Sequence, residues 1–372
     1  MTRVISSVTS DLTMDQRVNK IAKSLSKLGF DVLLIGRKLH NREYIKERPY
    51  KTKRFHLLFN SGPLFYATYN LRLFFTLLTK PCELLIANDL DTLLANFLVS
   101  KIKGIPLIYD THEYFCHVPE LSNRPFVRSV WKCIERWIFP KIKTVITVNG
   151  SLAKLYAEEY NIKVHTIHNF PESNLNTELK TKKKLGIPEN KKLILYQGAV
   201  NIDRGLEEAI EAMTLLADSV LLIIGTGDIL PDLKTLVIRR GLADRIKFFG
   251  AIPFQDLPNY THHADFGIAI EKDTNLNYKY SLSNKIFDYI NADIPVLASP
   301  LPEVKKLFSE HDIGLMLENY HPDHLADKMK EMTNNIELQR KWKRSLVQAR
   351  QKFTWDKEEK TLSNLLDKLG LL

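Results

Sequence analysis

The sequence predicts an α/β protein made of two doubly wound, Rossmann-like parallel-sheet domains that face each other across a cleft. At 372 residues the chain is longer than one hydrophobic core usually serves. Short apolar strands alternate with amphipathic helices along nearly all of it, a pattern typical of parallel sheets covered on both faces. A polar, lysine-rich stretch over 172–192 separates two such alternating series, so we place the domains at 1–171 and 172–352.

Each series is defined by its strand-like runs. In the first, these runs begin at Val4, Asp31, Leu84, Pro106, Thr144 and Val164. In the second, they begin at Leu193, Val220, Ile246, Phe266, Pro295 and Gly314. The stretch over 336–369 is almost wholly helical in pattern. Open α/β sheets bind ligands beyond the carboxyl ends of their strands, so we expect a ligand site in the crevice between the domains.

Composition excludes several classes of protein. With 44% hydrophobic and 26% charged residues, the chain reads as a folded globular protein. Three cysteines, at 82, 116 and 133, show no metal-binding spacing and suit a reducing compartment, so we expect a cytoplasmic protein. The N-terminus lacks the pattern of a signal peptide, and no run is long and apolar enough for a membrane span.

The net charge of +10 favours anionic partners, namely a sugar nucleotide, lipid phosphate or a membrane surface. The segment 37–54 holds eight Lys or Arg against two Glu. The run that follows, 64–78, is apolar almost all round, which indicates either a buried helix or a helix that docks on a membrane surface. The basic runs lack interleaved aromatic residues, and we expect no nucleic-acid partner.

The segment 280–299 carries the most chemical information. It reads as loop, helix, turn and strand, and Ser283 or Asn284 can cap the helix. The N-terminal end of such a helix binds a pyrophosphate through its N–H groups and dipole. Asp288 lies about one turn further in, where a carboxylate can accept hydrogen bonds from both ribose hydroxyls.

Further motifs make the pattern specific. They are the loop 197–205, the Gly-x-Gly turn at 223–227, the strand end 248–252, the Asp-x-His-Glu element 110–113, the Asn-containing stretch 167–169 and the ending 353–356. Taken together, these motifs resemble those of the retaining glycosyltransferases of family 4, which share the GT-B fold. That family carries a Glu-x7-Glu signature where this chain has Tyr280 and Asp288.

The resemblance implies a role for each matched position. The first domain would bind the acceptor, with the final helix over 353–372 packed back on it, and the second would bind the donor. The implied catalytic residues are His112, Arg204 and Tyr280. The implied donor-binding residues are Gly198, Arg204, Gly225, Ile252, Ser283, Asn284, Lys285 and Asp288. The implied acceptor-side residues are Asp11, Arg17 and Glu113.

The chain departs from the family pattern at two positions. Tyr280 stands where the family has the first Glu of its signature, and Ala199 stands where it has an Arg. A tyrosine hydrogen-bonds a sugar hydroxyl without a full negative charge, so another acid such as Glu271 is a candidate substitute. Phosphate neutralisation would then rest on Arg204 and Lys285.

The implied activity is retaining transfer of a sugar from a nucleoside-diphosphate sugar to a glycan or polyprenyl-linked acceptor in cell-surface polysaccharide synthesis. The resemblance requires no metal and no cofactor beyond the donor, and it suggests peripheral contact with the inner face of the plasma membrane. Two alternatives stay open at this point. One is a non-catalytic relative that binds or regulates a partner, and the other is a sugar-nucleotide epimerase on the same fold.

Two shorter motifs have simpler interpretations. His112 and Glu113 begin the pattern of a zinc protease, but Cys116 occupies the position of its second histidine, so we expect no metal site there. Asp89 and Asp91 echo the Asp-x-Asp of metal-dependent transferases. They stand alone at a strand end, which favours a turn or helix-capping role.

Overall fold

The computed structural model describes residues 1–13, 15–39, 47–172 and 179–372. The chain forms two compact units, Met1–Asn169 with Asp356–Leu372, and Phe170–Trp355. Each unit contains one sheet with parallel pairing, which confirms the predicted fold class. The units divide after residue 169, where the sequence suggested 171. Parts of the basic segment 37–54 and of the stretch 172–192 lie outside the described residues.

The first unit is a seven-stranded sheet with the order β3-β2-β1-β4-β5-β6-β7. Its strands are β1 (Arg3–Ser7), β2 (Asp31–Arg37), β3 (Lys51–Phe55), β4 (Leu84–Asn88), β5 (Leu107–Thr111), β6 (Thr144–Thr147) and β7 (Val164–Thr166). Its helices before the junction are α1 (Gln16–Lys27), α2 (Gly62–Thr79), α3 (Leu90–Lys103), α4 (Pro119–Ser122), α5 (Pro125–Ile138) and α6 (Gly150–Tyr160).

The second unit is a six-stranded sheet with the order β10-β9-β8-β11-β12-β13. Its strands are β8 (Lys192–Gln197), β9 (Ser219–Ile224), β10 (Ile246–Gly250), β11 (Phe266–Ala269), β12 (Val296–Ala298) and β13 (Gly314–Met316). Its helices are α7 (Leu206–Ala212), α8 (Leu230–Arg239), α9 (Leu257–Thr261), α10 (Leu276–Lys279), α11 (Asn284–Asn291), α12 (Pro302–Glu310), α13 (Pro322–Asn334) and α14 (Ile336–Lys352).

The edge strand β3 is the element that the sequence pattern missed. It pairs with β2 in parallel, from Leu33 opposite Lys51 to Arg37 opposite Phe55. Its sequence is basic, and only its last residue is buried. The apolar alternation that identifies a strand is therefore absent, because an edge strand can leave most of its side chains in water.

Helix α2 carries two apolar stripes. The stripe toward the sheet is buried and consists of Phe65, Tyr69, Leu73 and Leu77. A second stripe is exposed and consists of Leu64, Leu71 and Phe75. The buried-helix interpretation of 64–78 therefore holds for one side only. In the part of the chain that the structure describes, no helix is long and apolar enough to cross a membrane.

The predicted helical stretch 336–369 is two helices. Helix α14 ends at Lys352, and α15 (Trp355–Lys368) follows after a short break at 353–354, so the stretch is almost wholly helical, as predicted. Residues from Asp356 onward belong to the first unit. There the Ser24 hydroxyl donates to Glu359 over 2.7 Å, and the His168 backbone N–H donates to Glu358 over 3.0 Å.

Helix α11 is held against the second sheet by a buried tyrosine. The hydroxyl of Tyr289 donates to the carbonyl oxygens of Leu195 on β8 and Ile268 on β11. Gly267 makes room for the ring, since a β-carbon there would lie 2.4 Å from it. This packing places the N-terminal end of α11 beside the carboxyl ends of the strands.

The two stripes of α2 predict different costs for the same substitution. Leu73 is 0% exposed and Leu71 is 61% exposed. Leu73→Ala should lower the free energy of unfolding by about 2–5 kcal/mol, because it leaves a cavity. Leu71→Ala, the matched control on the same helix, should change it by less than about 0.5 kcal/mol. Urea titration of both variants measures this, and equal losses would contradict the packing described for α2.

Candidate active site

The second unit gathers its predicted site residues at the carboxyl edge of its sheet. Gly198 directly follows β8, Gly225 directly follows β9, and Ile252 lies two residues after β10. Glu271 lies two residues after β11. This edge is where parallel sheets bind ligands.

Two glycines at this edge leave the backbone of the strand ends without side chains. Gly198 and Gly225 have φ of +138° and +145°, and a β-carbon at Gly225 would lie 1.8 Å from the Gly198 carbonyl oxygen. A β-carbon at Gly198 would lie 3.3 Å from Cε of Lys285. The two strand ends therefore need glycine, and the glycine at 198 leaves the lysine side chain room beside the backbone.

Glu271 is the centre of the charged cluster in this unit. Its Oε1 lies 3.2 Å from NH1 of Arg204 and in closer contact with Nζ of Lys285. Burial alone would raise the pKa of Glu271, but the cations of Lys285 and Arg204 lower it to about 2. Burial lowers the pKa of Lys285, and the Arg204 charge lowers it further, against the effect of Glu271.

The rings of two tyrosines pack against the cations. The Arg204 guanidinium lies 4.4 Å from the ring centroid of Tyr278, and Nζ of Lys285 lies 4.9 Å from that of Tyr196. Cation–π contacts of this kind keep a charge in place without neutralising it. Sequence reasoning missed both tyrosines, since Tyr278 is on the very short helix α10 and Tyr196 is inside an ordinary buried strand.

Helix α11 presents its N-terminal end to the same cluster. Ser283 occupies the N-cap position, but its side chain makes no capping hydrogen bond. Of the two capping candidates, Ser283 therefore has the expected position, but it leaves the first N–H groups of the helix without a side-chain cap. Asn284 and Lys285 are the first two residues of the helix, and an anion can take the place of the missing cap.

Asp288 lies one turn further along α11 and is half-buried. It accepts a 2.8 Å hydrogen bond from Nε2 of Gln197, whose Oε1 accepts one from the Thr261 hydroxyl. A carboxylate accepts about four hydrogen bonds, so one bond from Gln197 does not exhaust it. Asp288 also lines a small pocket with Phe254.

Tyr280 caps the C-terminal end of α10 and is half-buried. Its backbone N–H donates to the Leu276 carbonyl. Glu271, named from the sequence as a substitute for the missing acid of the signature, contacts the two cations instead. The acid that pairs with both cations therefore comes from the end of β11 and not from the signature helix.

In the first unit, two aspartates bracket His112. Its Nδ1 lies 3.1 Å from Asp89, and its Nε2 lies 3.5 Å from Asp110. The backbone N–H of His112 also donates to Asp89 over 2.8 Å. Burial would lower the pKa of His112, but the two carboxylates raise it well above its ordinary value. The two carboxylates therefore favour the protonated imidazolium form of His112.

Asp89 occupies the N-cap position of α3 without acting as its cap. Its side chain makes no capping hydrogen bond and binds His112 instead, which corrects the helix-capping role favoured from the sequence. The backbone φ of Asp89 is +58°, a conformation that costs free energy in any residue with a side chain. The surrounding packing thus stabilises a strained backbone conformation in which this carboxylate contacts His112.

The three expected acceptor-side residues lie in different surroundings. Arg17 is buried, where its NH2 lies 2.6 Å from Asp110 and its NH1 donates to the Ile167 carbonyl. It therefore supports the carboxylate behind His112. Asp11 accepts hydrogen bonds from Leu39 and Arg54 near the ends of β2 and β3, and Glu113 is exposed.

The described residues contain no group of three or more His, Cys, Asp or Glu arranged to hold a metal ion. Asp91, the second acid of the Asp-x-Asp pair, is buried and accepts a 2.5 Å hydrogen bond from Thr9. Burial and the neighbouring charge of Asp89 raise its pKa to about 7.

Asp91 should make the stability of the protein depend on pH. Its pKa of about 7 in the folded protein exceeds the ordinary 3.8, so the folded state keeps a proton that the unfolded state releases. The free energy of unfolding should fall as pH rises between these values. Asp91→Asn should remove that part of the slope in urea titrations at pH 5 and pH 8. Asp327→Asn, at a carboxylate that is 76% exposed, is the control. Equal slopes for wild type and Asp91→Asn would refute the assignment.

Known structures share this fold along the whole chain. Sucrose-phosphate synthase from Thermosynechococcus elongatus superposes with a TM-score of 0.81 at 16% identity, covering 99% of each chain. Anabaena Alr3699/HepE in complex with UDP-glucose superposes with a TM-score of 0.78 at 15% identity, covering 99% of this chain and 100% of that one.

Sequence comparisons give the family. Alpha-D-kanosaminyltransferase of Streptomyces kanamyceticus is 22% identical over 258 residues, which are 65% of this chain and 65% of that relative. The chain thus aligns with less than two thirds of the relative's length. The sequence model of Glycosyltransferase Family 4 matches residues 14–172, and that of Glycosyl transferases group 1 matches residues 177–348. The chain belongs to these GT-B glycosyltransferases.

Proposed function

We propose that the protein transfers a sugar from a nucleoside-diphosphate sugar to a hydroxyl of a glycan or lipid-linked glycan, with retention of configuration at the anomeric carbon. One observation carries the proposal. Arg204, Lys285 and the uncapped end of α11 converge on strand ends that lack side chains at Gly198 and Gly225. Such an arrangement suits a diphosphate.

The second unit would bind the donor, and each part of the cluster would have one task. Arg204 and Lys285 would contact the diphosphate, Asp288 the ribose hydroxyls, and the backbone at Ile252 the base. Glu271 keeps both cations charged and in place before the donor arrives. With two cations and one carboxylate, the cluster retains a surplus positive charge that a diphosphate can neutralise.

The transfer step breaks the bond between the anomeric carbon and the diphosphate oxygen, and the acceptor oxygen attacks on the same face. The acceptor proton goes to the departing phosphate oxygen. Negative charge grows on that phosphate, and preorganised donors and cations stabilise it more in the transition state than in the ground state. Because Arg204 and Lys285 can supply this charge, we propose that the reaction needs no metal. Activity retained in EDTA would support this.

The first unit would bind the acceptor. His112, whose protonated form Asp89 and Asp110 favour, would donate a hydrogen bond to the reacting sugar, and Glu113 and Asp11 would face the acceptor. Tyr280 would contact the donor sugar. A lipid-linked acceptor in cell-surface polysaccharide synthesis would place the protein in the cytoplasm, peripherally on the inner face of the plasma membrane.

The donor site can be tested by ligand-induced stabilisation. UDP, UDP-glucose, GDP and dTDP should be compared first, since the Anabaena neighbour was solved with UDP-glucose. One nucleotide should raise the Tm by several degrees, and Arg204→Ala and Asp288→Asn should each abolish most of that shift. Arg239→Ala removes the same charge from the exposed side of α8 and should leave it intact.

Each outcome of that experiment has a defined meaning. No shift with any nucleotide would refute the donor site. A shift without transfer to any lipid-linked or soluble glycan would favour a binding or regulatory relative. Donor conversion without an acceptor would indicate an epimerase. Transfer with inversion at the anomeric carbon, read by proton NMR of the product, would refute the retaining mechanism.

The Asp89 contact predicts a shift in the pH dependence of transfer. Asp89→Asn removes a charge that raises the pKa of His112, so the imidazolium should lose its proton at lower pH. The alkaline limb of kcat against pH should move to lower pH, while the nucleotide-induced Tm shift stays unchanged. His112→Gln, which cannot ionise, should show no such limb. An unchanged profile in Asp89→Asn would contradict the role of the His112 charge.

A further inference from the structure

Gln197 is the polar end of an otherwise apolar strand. Strand β8 buries Leu193, Ile194, Leu195 and Tyr196, and Gln197 follows them with only 3% of its surface exposed. Burying an amide side chain costs free energy unless its donors and its acceptor find partners. An aliphatic side chain would fill the same position without that cost. The glutamine is therefore stabilised there by the partners of its amide.

The two ends of the Gln197 amide bind two other elements of the second unit. Its Nε2 donates to Oδ2 of Asp288 on α11 over 2.8 Å, and its Oε1 lies 2.8 Å from the Thr261 hydroxyl at the end of α9. That hydroxyl also lies 3.0 Å from the Leu257 carbonyl oxygen, so it shares its hydrogen between two acceptors. Thr261 is as buried as Gln197, and Asp288 is half-buried. We call these three residues the Thr261–Gln197–Asp288 chain.

Asp288 fixes the direction of this chain of hydrogen bonds. A carboxylate only accepts hydrogen bonds, so the amide nitrogen of Gln197 has to face it and the amide oxygen has to face Thr261. With the amide reversed, two oxygen atoms would meet and the bond to Asp288 would be lost. A neutral amide also leaves the negative charge of Asp288 in place, which a lysine at the same position would cancel. Gln197 therefore orients the carboxylate without neutralising it.

The chain of hydrogen bonds borders a space that a ligand can enter. Gln197, Thr261 and Asp288 line one small pocket, and Phe254 and Leu257 line it too. A carboxylate has about four acceptor sites, and the bond from Gln197 uses one of them. Side chains of a binding site keep a productive geometry when further hydrogen bonds lock their rotamers. The contact with Gln197 is of this kind, because it comes from a buried strand end.

We propose that Gln197 is a positioning residue that orients the Asp288 carboxylate toward the ribose diol, while Thr261 orients Gln197 in turn. The inference rests on the proposed function, in which Asp288 binds the ribose hydroxyls. Gln197 acts through the carboxylate and does not itself bind the nucleotide. It makes the site selective for a ribonucleotide, because a 2′,3′-dideoxyribose has no hydroxyl to offer the oriented carboxylate. A hydrogen bond to a charged acceptor changes affinity about tenfold.

The test compares diphosphates that differ only in the sugar, namely UDP, 2′-deoxy-UDP and 2′,3′-dideoxy-UDP, with the guanine and thymine series in parallel. In isothermal titration calorimetry, wild type should bind UDP at least about tenfold more tightly than dideoxy-UDP. Gln197→Met keeps the length of the side chain and removes the amide. It should weaken UDP binding about tenfold and leave dideoxy-UDP binding within about twofold of wild type. A residue that only supported the fold would affect both ligands alike.

Further variants separate the chain from general effects of substitution. Thr261→Val removes the hydroxyl and should lower the preference for ribose, whereas Thr261→Ser keeps the hydroxyl and should bind like wild type. Asp288→Asn gives the preference that remains without the carboxylate. Gln339→Met, the same change on α14, where the amide donates to the Met332 carbonyl, is the control and should leave both affinities unchanged. Thermal melts without ligand show that each variant is folded, and Thr261→Val carries the test should Gln197→Met not fold.

Three results would overturn the proposal while the donor site stands. Equal binding of UDP and dideoxy-UDP by wild type would mean that the carboxylate does not recognise the ribose. Equal weakening of both ligands in Gln197→Met and Thr261→Val would leave these residues a structural role only. An unchanged preference for ribose in both variants would remove Gln197 from recognition altogether. Failure of every nucleotide to bind wild type would instead refute the donor site, and the inference with it.

Discussion

The second unit depends on one buried carboxylate. Glu271 lies between Lys285 and Arg204, and burying either cation would cost several kcal/mol without it. Its own position comes from the end of β11, while the cations come from the start of α11 and from the loop before α7. Three separate stretches of chain therefore have to reach their native places before any of these charges is stabilised. The cluster links the arrangement of the sheet edge to its electrostatics.

The first unit contains a cluster in which the signs are reversed, so that one cationic side chain lies between two acids. His112 is the cation there, and Asp89 and Asp110 are the acids that hold it. Arg17 balances Asp110 from the buried side, so the charges of that pair cancel inside the fold. Asp89 is left to act on the imidazole, in a backbone conformation that only a well-packed neighbourhood tolerates. In both units, buried carboxylates thus hold a cationic side chain in place.

Most of the fold could be predicted from the sequence, because buried parallel strands are continuous apolar runs and the helices between them have a clear period. Strand β3 could not, since its basic residues replace the apolar alternation by which a strand is identified. The packing of Phe353 against Phe170 and Phe287 could not be predicted either, because these residues are distant in sequence. For the site, motif positions such as Asp288 could be named in advance. Contacts such as that of Asp89 with His112 depend on a single backbone torsion that no residue pattern reports.

The crossing of the chain from the second unit back to the first has a consequence for biosynthesis. Residues 356–372 belong to the first unit, although they are translated after the whole second unit. Ser24 and Lys27 on α1 therefore gain their partner Glu359 only after residues 170–355 have been synthesised. The second unit can therefore close on the ribosome while the first still lacks its final helix, although domains usually mature from the N-terminus. A fragment ending at residue 169 omits that helix, and a faithful isolated first unit has to join 1–169 to 356–372.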